Sequence, residues 1–467
     1  MPTSIVWFRN DLRLADNPAL MAGTRRGQIV PVYILDQDTE GLRARGGASR
    51  WWLHHSLTAL DLSLRRCGSH LVLRQGKAEQ ILPALASECG ASAVYWNRAY
   101  DQGSAEQERR LQRLLPRGGV ATESFKGNLL FEPWEVKTSA DAPFKVFTPF
   151  WRACRALPPP PLALPAPQQL SSPANGPAGD KLASWQLLPK APDWARGLRE
   201  TWTPGEAGAI EYLSTFLDGV LARYHRERDA PAGETTSRLS PYLAFGEISP
   251  RQIWHAAQAA GDGAAVEKFL SELGWREFSY NLLFHFDDIA QRNFRPEFDA
   301  FPWREDSGAL EAWQQGRTGF PIVDAGMREL WATGWMHNRV RMIVASFLTK
   351  DLLIDWRAGE RWFWDTLVDA DPANNPVNWQ WVAGCGADAA PYFRIFNPGL
   401  QAKKIDPRGD YVRRWVPALA SLPEDTVHQP WKAGSSVADA YPTPIVDHAS
   451  ARARALDAFH GLKKGPP

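Results

Sequence analysis

A proline-rich stretch near the middle of the chain limits how the chain can fold. Residues 157–179 read LPPPPLALPAPQQLSSPANGPAG. Proline fixes the φ angle and has no amide hydrogen to donate, so this stretch cannot form a regular helix or an inner strand. Between two folded parts, such a segment is typical of a surface linker. The sequence therefore predicts two domains, at 1–127 and 201–460, joined by a linker at 128–200.

The first domain alternates short apolar runs with amphipathic helical patterns. The apolar runs are predicted to be buried strands, at residues 5–8, 29–35, 70–74 and 93–96. The helical patterns between them lie at residues 49–66, 77–89 and 104–115. This order predicts an α/β domain with a doubly wound parallel sheet. Neither G-x-G-x-x-G nor G-x-x-x-x-G-K-[ST] occurs, so no standard phosphate loop is expected.

The second domain shows helical spacing throughout and no convincing strand pattern. Apolar residues recur at i, i+3 and i+4 in residues 206–227, 251–260, 264–286, 322–334, 337–353 and 358–367. These patterns predict a large all-α domain. The stretch DADPANNPVNWQW, residues 369–381, follows the last of them and is predicted to be a loop.

The composition is that of a soluble globular protein of 467 residues, with 44% hydrophobic residues and a net charge of +1. This charge argues against a wholly basic nucleic-acid-binding surface but allows a local basic patch. The chain holds 22 tryptophans against 21 phenylalanines, which raises stacking or electron transfer as functions beside core packing.

The four cysteines lack C-x-x-C spacing, which argues against disulfides and a zinc site. The N-terminal apolar run is too short for a signal peptide, and no uncharged run approaches the roughly 20 residues that cross a bilayer. We therefore expect a cytoplasmic monomer that does not bind membranes.

Two motifs carry candidate binding chemistry, although each also has a plain structural interpretation. TTSRLS, residues 235–240, suits either an anion site or a helix cap within a surface loop. In SELGWREF, residues 271–278, helical spacing puts Glu272, Trp275 and Arg276 on one face. A surface ion pair beside a core tryptophan would show the same spacing.

A third motif is GWMHNRVRM, residues 334–342, in which Asn338, Arg341 and Met342 share one helix face. The asparagine offers a donor and an acceptor to the edge of a heteroaromatic ring. The methionine more often fills a core than contacts a ligand.

The stretch DADPANNPVNWQW combines carboxylates, amides and indoles without an obvious nucleophile. Asp369 and Asp371 have no neighbouring histidine or third carboxylate in the sequence, so no metal site is predicted. They could instead pair with an arginine or accept from N–H groups of a cofactor. Asn375 could face a ring nitrogen without ionising, and Trp379 and Trp381 could stack or pass electrons.

Together and in this order, these motifs resemble the photolyase/cryptochrome family. The resemblance is carried by VWFRNDLRLADNPAL, TSRLSPYLAFGEISP, SELGWREF, WMHNRVRM, DADPANNPVNWQW and DAAPYFRIFNP. It covers nearly the whole chain and is weak only in the linker. It implies an antenna-type α/β domain and a helical domain that holds a U-shaped FAD. The excited, fully reduced flavin then donates an electron to a cyclobutane pyrimidine dimer flipped out of damaged DNA, and the ring splits.

The resemblance implies roles for individual residues. Implied cofactor contacts are Tyr224, Thr236, Ser237, Arg238, Leu239, Ser240, Phe269, Arg276, Asp369, Asp371 and Asn375. Implied DNA or dimer contacts are Arg228, Glu272, Trp275, Asn338, Arg339, Met342, Trp381 and Gln401. Implied catalytic residues are Glu272, Asn338, Arg341 and Asn375, and implied electron carriers are Trp303, Trp356 and Trp379. Basic residues that could line the rim and contact DNA phosphates are Arg226, Arg228, Arg339, Lys403, Lys404, Arg408, Arg413 and Arg414.

Two of these positions bear on the activity. Asn375 matches the residue that faces flavin N5, where plant cryptochromes carry an aspartate, and an amide cannot give a proton to the flavin. Asn338 stands where family members that repair (6-4) lesions carry a histidine. The resemblance therefore implies a repair enzyme for cyclobutane dimers. Arg341 is the expected ion-pair partner of Asp369.

The resemblance also implies a second, antenna chromophore. Residues 49–69, SRWWLHHSLTALDLSLRRCGS, resemble a helix of plant cryptochromes and related bacterial photolyases, which favours methenyl-tetrahydrofolate over a deazaflavin. The Asn-Glu pair that follows the fourth strand in enteric photolyases is absent, because this chain reads WNRAYDQGSAEQE there. A deazaflavin or an empty antenna pocket therefore remains an alternative.

Two other functions stay open on the sequence. A cryptochrome-type blue-light photoreceptor would be expected to carry an aspartate at position 375 and often a long C-terminal tail, whereas this sequence has Asn375 and continues for about 60 residues after FRIFNPGLQ. An unrelated flavin- or nucleotide-binding module would be colourless or would resist photoreduction.

Overall fold

The computed structural model describes residues 1–286, 288–389, 393–432 and 441–463. Positions 390–392, within the motif DAAPYFRIFNP, lie outside the described residues. In the part of the chain that is described, no helix is long and apolar enough to cross a bilayer.

The N-terminal part forms a five-stranded parallel sheet. Its strands, β1 to β5 in chain order, are Thr3–Phe8, Gln28–Leu35, Val72–Gln75, Ala91–Asn97 and Ala121–Phe125. Their spatial order is β3-β2-β1-β4-β5, and each neighbouring pair is parallel. The chain direction across the sheet reverses at β1, which confirms the predicted doubly wound sheet. The sequence patterns do not predict β5, because this edge strand is partly exposed and lacks an apolar run.

Four helices cover the two faces of this sheet. They are α1 Pro18–Arg26, α2 Gly47–Arg66, α3 Ala78–Cys89 and α4 Gln102–Leu114. Successive strand residues point to opposite faces, so Trp7 packs in one core cluster with Leu82 and Phe8 packs in another with Trp52. Trp52, on α2, also contacts Tyr242 of the helical part at 5.1 Å between ring centroids. Helix α2 therefore joins the sheet to the helical domain.

The proline-rich segment lies against the sheet domain. Residues 157–181 contain no helix or strand. The Ile29 N–H donates to the Ser171 carbonyl at 2.8 Å, which ties the segment to β2. Just before it, Phe147–Ala156 forms helix α5, which the sequence patterns do not predict.

The rest of the described chain is helical and contains no strand, as predicted. Its helices α6 to α19 are Arg196–Thr201, Glu206–Gly219, Tyr224–Glu227, Ser240–Ala244, Pro250–Ala260, Ala264–His285, Ser307–Gln314, Pro321–Thr333, Asn338–Ser346, Trp356–Thr366, Asn374–Ala383, Pro398–Ile405, Asp410–Trp415 and His448–Lys463. A π-helical turn, Phe347–Asp351, follows α14. The helices predicted at 206–227 and 337–353 are therefore each interrupted.

Helix α16, Asn374–Ala383, corrects the prediction that DADPANNPVNWQW forms a loop. Pro376 lies in the first turn, where an amide has no intrahelical acceptor and proline costs little. Asp371 caps the helix by accepting from the N–H groups of Ala373 and Asn374 at 2.8 and 2.7 Å. The proline and carboxylate that suggested a loop thus mark the start of a helix.

Buried Glu247 is expected to make the stability depend on pH. Its carboxyl group accepts from Trp52 Nε1 at 3.1 Å, and burial raises the pKa of Glu247 to about 8. Between the ordinary pKa of 4.5 and about 8, the folded protein binds a proton that the unfolded chain has released, so stability falls as pH rises. We expect Glu247→Gln to flatten the decline in Tm between about pH 6 and about pH 8, and exposed Glu211→Gln to leave it unchanged. Identical profiles for wild type and Glu247→Gln would show that another group causes the decline.

Candidate functional site

A cavity of about 690 Å³ opens among helices α8 to α11 and α14 to α16. Its volume lies within the usual range of small-molecule sites. It is lined by every predicted cofactor contact, namely Tyr224, Thr236, Ser237, Arg238, Leu239, Ser240, Phe269, Arg276, Asp369, Asp371 and Asn375. It is also lined by Arg228, Glu272, Trp275, Asn338, Arg339, Arg341, Met342, Trp379 and Trp381. The predicted residues that do not line it are Trp303, Trp356 and Gln401 and the rim residues Lys403, Lys404, Arg408, Arg413 and Arg414.

An ion pair between α14 and the loop before α16 forms one wall. Arg341 donates to both carboxylate oxygens of Asp369, at 3.1 and 2.8 Å. The same carboxylate accepts from Ser240 Oγ at 2.6 Å, and Arg341 Nε donates to the Met336 carbonyl at 2.7 Å. The Asp369 side chain is 2% exposed, so its charge is compensated almost entirely by these contacts. The predicted Arg341–Asp369 pair is therefore present.

The loop that carries TTSRLS presents an arginine to the cavity. Arg238 has φ 52°, a left-handed conformation, and its guanidinium lies 4.7 Å from the Trp335 ring and 5.3 Å from the Trp202 ring. In contrast to Arg341, it forms no ion pair within the described ranges. The Ser240 hydroxyl bonds Asp369 instead of capping a helix. This geometry leaves a cation free to bind an anionic ligand group, which favours the anion-site interpretation over the helix cap.

Asp371 is occupied by protein donors. Besides the two backbone groups at the start of α16, it accepts from Tyr280 OH at 2.7 Å and from Asn374 Nδ2 at 3.0 Å. Burial, with the Asp371 charge beside it, raises the pKa of Tyr280, so the phenol remains a donor. Asp371 therefore fixes the start of α16 at the cavity.

Asn375 is held in place by a series of linked polar contacts that includes a residue of the sheet domain. Its Nδ2 donates to the carboxylate of Glu360 at 2.8 Å and to the Glu360 carbonyl at 3.0 Å. Arg43, between β2 and α2, donates to both carboxylate oxygens of Glu360 at 2.6 and 2.8 Å. Because its nitrogen is engaged, the amide oxygen of Asn375 is the atom left for a ligand.

The open side of the cavity carries a second charged group. Glu272 accepts from Arg228 and lies 3.0 Å from Lys268 Nζ. Asn338 begins α14 at an exposed position, and Arg339 approaches Asp229 at 3.6 Å. The lining as a whole holds seven arginine or lysine and four aspartate or glutamate side chains, an excess of positive charge.

Of the three predicted electron carriers, one lines the cavity. Trp379 lines it, is 3% exposed and contacts Phe363 and Trp313 at 5.0 and 6.1 Å between ring centroids. Trp356 is fully buried on α15 and Trp303 is partly exposed, and neither lines the cavity. Electron transfer along these tryptophans stays a prediction.

Comparison with known proteins identifies the family. Residues 4–168 match the family model described as DNA photolyase, and residues 269–461 match the FAD binding domain of DNA photolyase. The deoxyribodipyrimidine photo-lyase of Agrobacterium fabrum is 52% identical over 98% of this chain and 98% of its own. The chain belongs to the photolyase/cryptochrome family. Cryptochrome-1 of Arabidopsis thaliana is 39% identical over 98% of this chain and 70% of its own. A crystal structure of a bacterial class III photolyase from Agrobacterium tumefaciens matches with a TM-score of 0.96 and 50% identity, covering 99% of this chain and 98% of that one.

Sequence reasoning missed several residues of this family site. Glu360 and Arg43 orient Asn375 but belong to no motif that suggests a ligand, and Trp335, which stacks on Arg238, lies in GWMHNRVRM without a predicted role. His337, next to Asn338, is 2% exposed, and burial lowers its pKa to about 4. It is therefore neutral, and its Nδ1 accepts from the Arg339 N–H at 3.2 Å to cap α14. Across the described ranges, no group of three or more His, Cys, Asp or Glu residues is arranged to bind a metal.

Proposed function

We propose that this protein is a deoxyribodipyrimidine photo-lyase that uses light to repair cyclobutane pyrimidine dimers in DNA. The observation that carries the proposal is that one cavity is lined both by the residues expected to bind FAD and by those expected to bind the dimer. Likeness to a deoxyribodipyrimidine photo-lyase over nearly the full length of both chains supports it.

FAD is the cofactor that the lining fits. The free guanidinium of Arg238 suits the pyrophosphate, and the excess positive charge of the cavity suits an anionic ligand. The amide oxygen of Asn375 is positioned to accept from a ring N–H. When bound and reduced, FAD would supply the light-driven electron.

The protein residues have the tasks of binding and orienting the two reactants. Trp275 and Trp381 offer indole faces to two flipped bases, and such stacking contributes about 1–3 kcal/mol per base. Glu272 and Asn338 offer hydrogen-bonding groups to the base edges. The buried Arg341–Asp369 pair keeps the cofactor side of the cavity rigid and charged.

We propose that DNA phosphates bind along the rim. Arg226, Arg228 and Arg339 line the open cavity, and Lys403 and Lys404 are exposed on α17 beside Gln401. Arg414, on α18, donates to the Ala232 carbonyl at 3.1 Å, which brings α18 to the loop before TTSRLS. Binding along this strip should weaken with salt and should not depend on sequence.

For the antenna we retain methenyl-tetrahydrofolate, bound near α2, as the proposal. Four buried atoms on this helix have no hydrogen-bond partner within the described ranges: Arg50 Nε, Trp51 Nε1, His54 Nδ1 and His55 Nε2. The other place where an antenna chromophore could bind is at the ends of the strands. That place is crowded, since a Cβ on Gly103 would lie 2.2 Å from the Gly41 carbonyl oxygen. Reconstitution with folate and with deazaflavin, followed by near-UV absorbance, would distinguish the two. We also propose a cytoplasmic monomer, and its mass in solution can be measured by light scattering.

The experiment that tests the activity is photorepair of a thymine-dimer oligonucleotide. We expect blue light to restore thymine absorbance after photoreduction of the protein, and a dark sample to show no recovery. A yellow, photoreducible protein without recovery would contradict repair and favour a cryptochrome-type receptor. A colourless protein would contradict both.

Glu272→Ala and Asn338→Ala are expected to weaken binding to the dimer oligonucleotide. Each removes a hydrogen-bonding group at the base edges, and a hydrogen bond to a charged group contributes about 1.5–3 kcal/mol, so Glu272→Ala should cost about 10- to 100-fold in affinity. Dark binding titrations with damaged and undamaged oligonucleotides measure this. Glu267→Ala is the control, since Glu267 lies on the same helix but pairs with Arg155 at the surface. Equal losses for damaged and undamaged DNA would argue against base-edge contacts.

A further inference from the structure

Trp275 and Trp381, the two cavity tryptophans proposed to contact the dimer, are each contacted by a residue that has no role assigned above. Phe147, the first residue of α5, stacks on Trp275 with ring centroids 3.8 Å apart and planes 10° from parallel. Phe147 covers one face of the indole, so the other face is the one available to the cavity. A linker residue thus sets the plane of Trp275.

The docking of α5 on α11 explains why this stack is fixed. One turn after Phe147, Trp151 packs on Gly274, where an added Cβ would lie 2.5 Å from the indole. On the same helix, Phe150 contacts Phe278 at 5.3 Å between centroids. Phe147 therefore projects from a helix anchored at two further points.

Asp388 contacts both Phe147, which supports Trp275, and the indole of Trp381. It has φ 54°, in the left-handed region that aspartate and asparagine tolerate better than most residues. Its backbone carbonyl accepts from Trp381 Nε1 at 3.1 Å, and its Oδ2 accepts from the Phe147 N–H at 3.4 Å. One residue therefore connects the support of Trp275 to the indole of Trp381.

We propose that Phe147 and Asp388 are positioning residues that hold Trp275 and Trp381 as preformed walls for a flipped pyrimidine dimer. This inference rests on the proposed function, because it needs a lesion between the two indoles. The physical gain is preorganisation: an aromatic wall that is already oriented loses little rotamer freedom when a base stacks on it. Without Phe147, the Trp275 indole can rotate into the vacated space.

The test compares dark binding of a thymine-dimer oligonucleotide with binding of its undamaged counterpart. An aromatic pair contributes about 0.5–1.5 kcal/mol, so we expect Phe147→Ala to reduce the preference for damaged DNA by up to about tenfold. Asp388→Ala should act in the same direction, whereas Asp388→Asn should keep the wild-type preference, since asparagine retains an acceptor and tolerates φ 54°. Flavin absorbance and affinity for undamaged DNA should not change.

Two further variants guard against a purely structural effect. Phe144→Ala is the matched control, because Phe144 contacts Phe150 and belongs to the same segment. Phe147→Leu keeps apolar volume but removes the aromatic stack on Trp275. This variant replaces Phe147→Ala in the test if Phe147→Ala does not fold. The double variant Phe147→Ala/Trp275→Ala should bind no worse than Trp275→Ala alone, since the two residues act as one unit.

The outcomes distinguish a failure of the proposed function from a failure of the positioning roles. A wild type that binds both oligonucleotides equally would contradict the proposed function itself. A wild type that prefers the dimer, with the same preference in Phe147→Leu and Asp388→Ala, would overturn the positioning roles. An equal loss of affinity for both oligonucleotides would overturn them as well.

Discussion

Asp369→Ala is expected to yield a colourless, destabilised protein. The substitution leaves the Arg341 guanidinium without its partner and Ser240 Oγ without its acceptor, in a wall of the cavity. Removing one partner of a buried ion pair costs about 3–5 kcal/mol, and we expect the lower end because the Arg341 side chain is 24% exposed. The amount of FAD that stays bound during purification should fall together with the free energy of unfolding. Guanidinium-induced unfolding measures the free energy, and the flavin absorbance of the purified protein measures retention.

The control for this prediction is an exposed pair of similar geometry. Arg408 and Asp410 lie 2.7 Å apart, with side chains 73% and 43% exposed. Asp410→Ala should therefore change stability by less than about 1 kcal/mol and leave flavin content unchanged. Wild-type flavin content in Asp369→Ala would show that the ion pair does not shape the cofactor site.

Trp379→Phe is expected to abolish photoreduction of the flavin while leaving FAD bound. Trp379 lines the cavity, and Gly359 packs so closely that an added Cβ would lie 2.1 Å from the indole. Phenylalanine keeps an apolar wall there but is a much poorer electron donor than an indole. Bleaching of the oxidised flavin band under blue light, with an external reductant, measures the rate.

Two comparisons make this result specific to electron delivery. Trp313→Phe changes a fully buried neighbour that does not line the cavity, and it should photoreduce at the wild-type rate if electrons pass through Trp356 and Trp303. Chemically reduced Trp379→Phe should repair the dimer oligonucleotide normally, since its dimer contacts are intact. Rapid photoreduction of Trp379→Phe would exclude Trp379 as a required carrier.

The patterns that predicted structure well are those set by near neighbours in the chain. Helical spacing put Glu272, Trp275 and Arg276 on one face, and all three line the cavity. Apolar runs located strands β1 to β4, whereas β5 was not predicted because it is a short, partly exposed edge strand without such a run. The prediction of a loop at residues 369–381 was wrong. In the sequence, a proline in the first turn of a helix cannot be distinguished from a proline in a loop.

The sequence by itself determined the two kinds of domain, the linker between them, the family and the set of candidate site residues. These follow from local periodicity, from the chemistry of proline, and from motifs that can be read in order. Only the tertiary structure decided that Arg43 and Glu360 orient Asn375, and that Phe147 and Asp388 support the two indoles. The contacts of Arg43 and Phe147 join residues far apart in the chain, and the bond from Trp381 to Asp388 spans only seven residues but uses a backbone carbonyl, which leaves no mark on the choice of side chain. Their partners are set by how whole helices and the sheet pack, and packing is a property of the folded chain rather than of any short stretch of it.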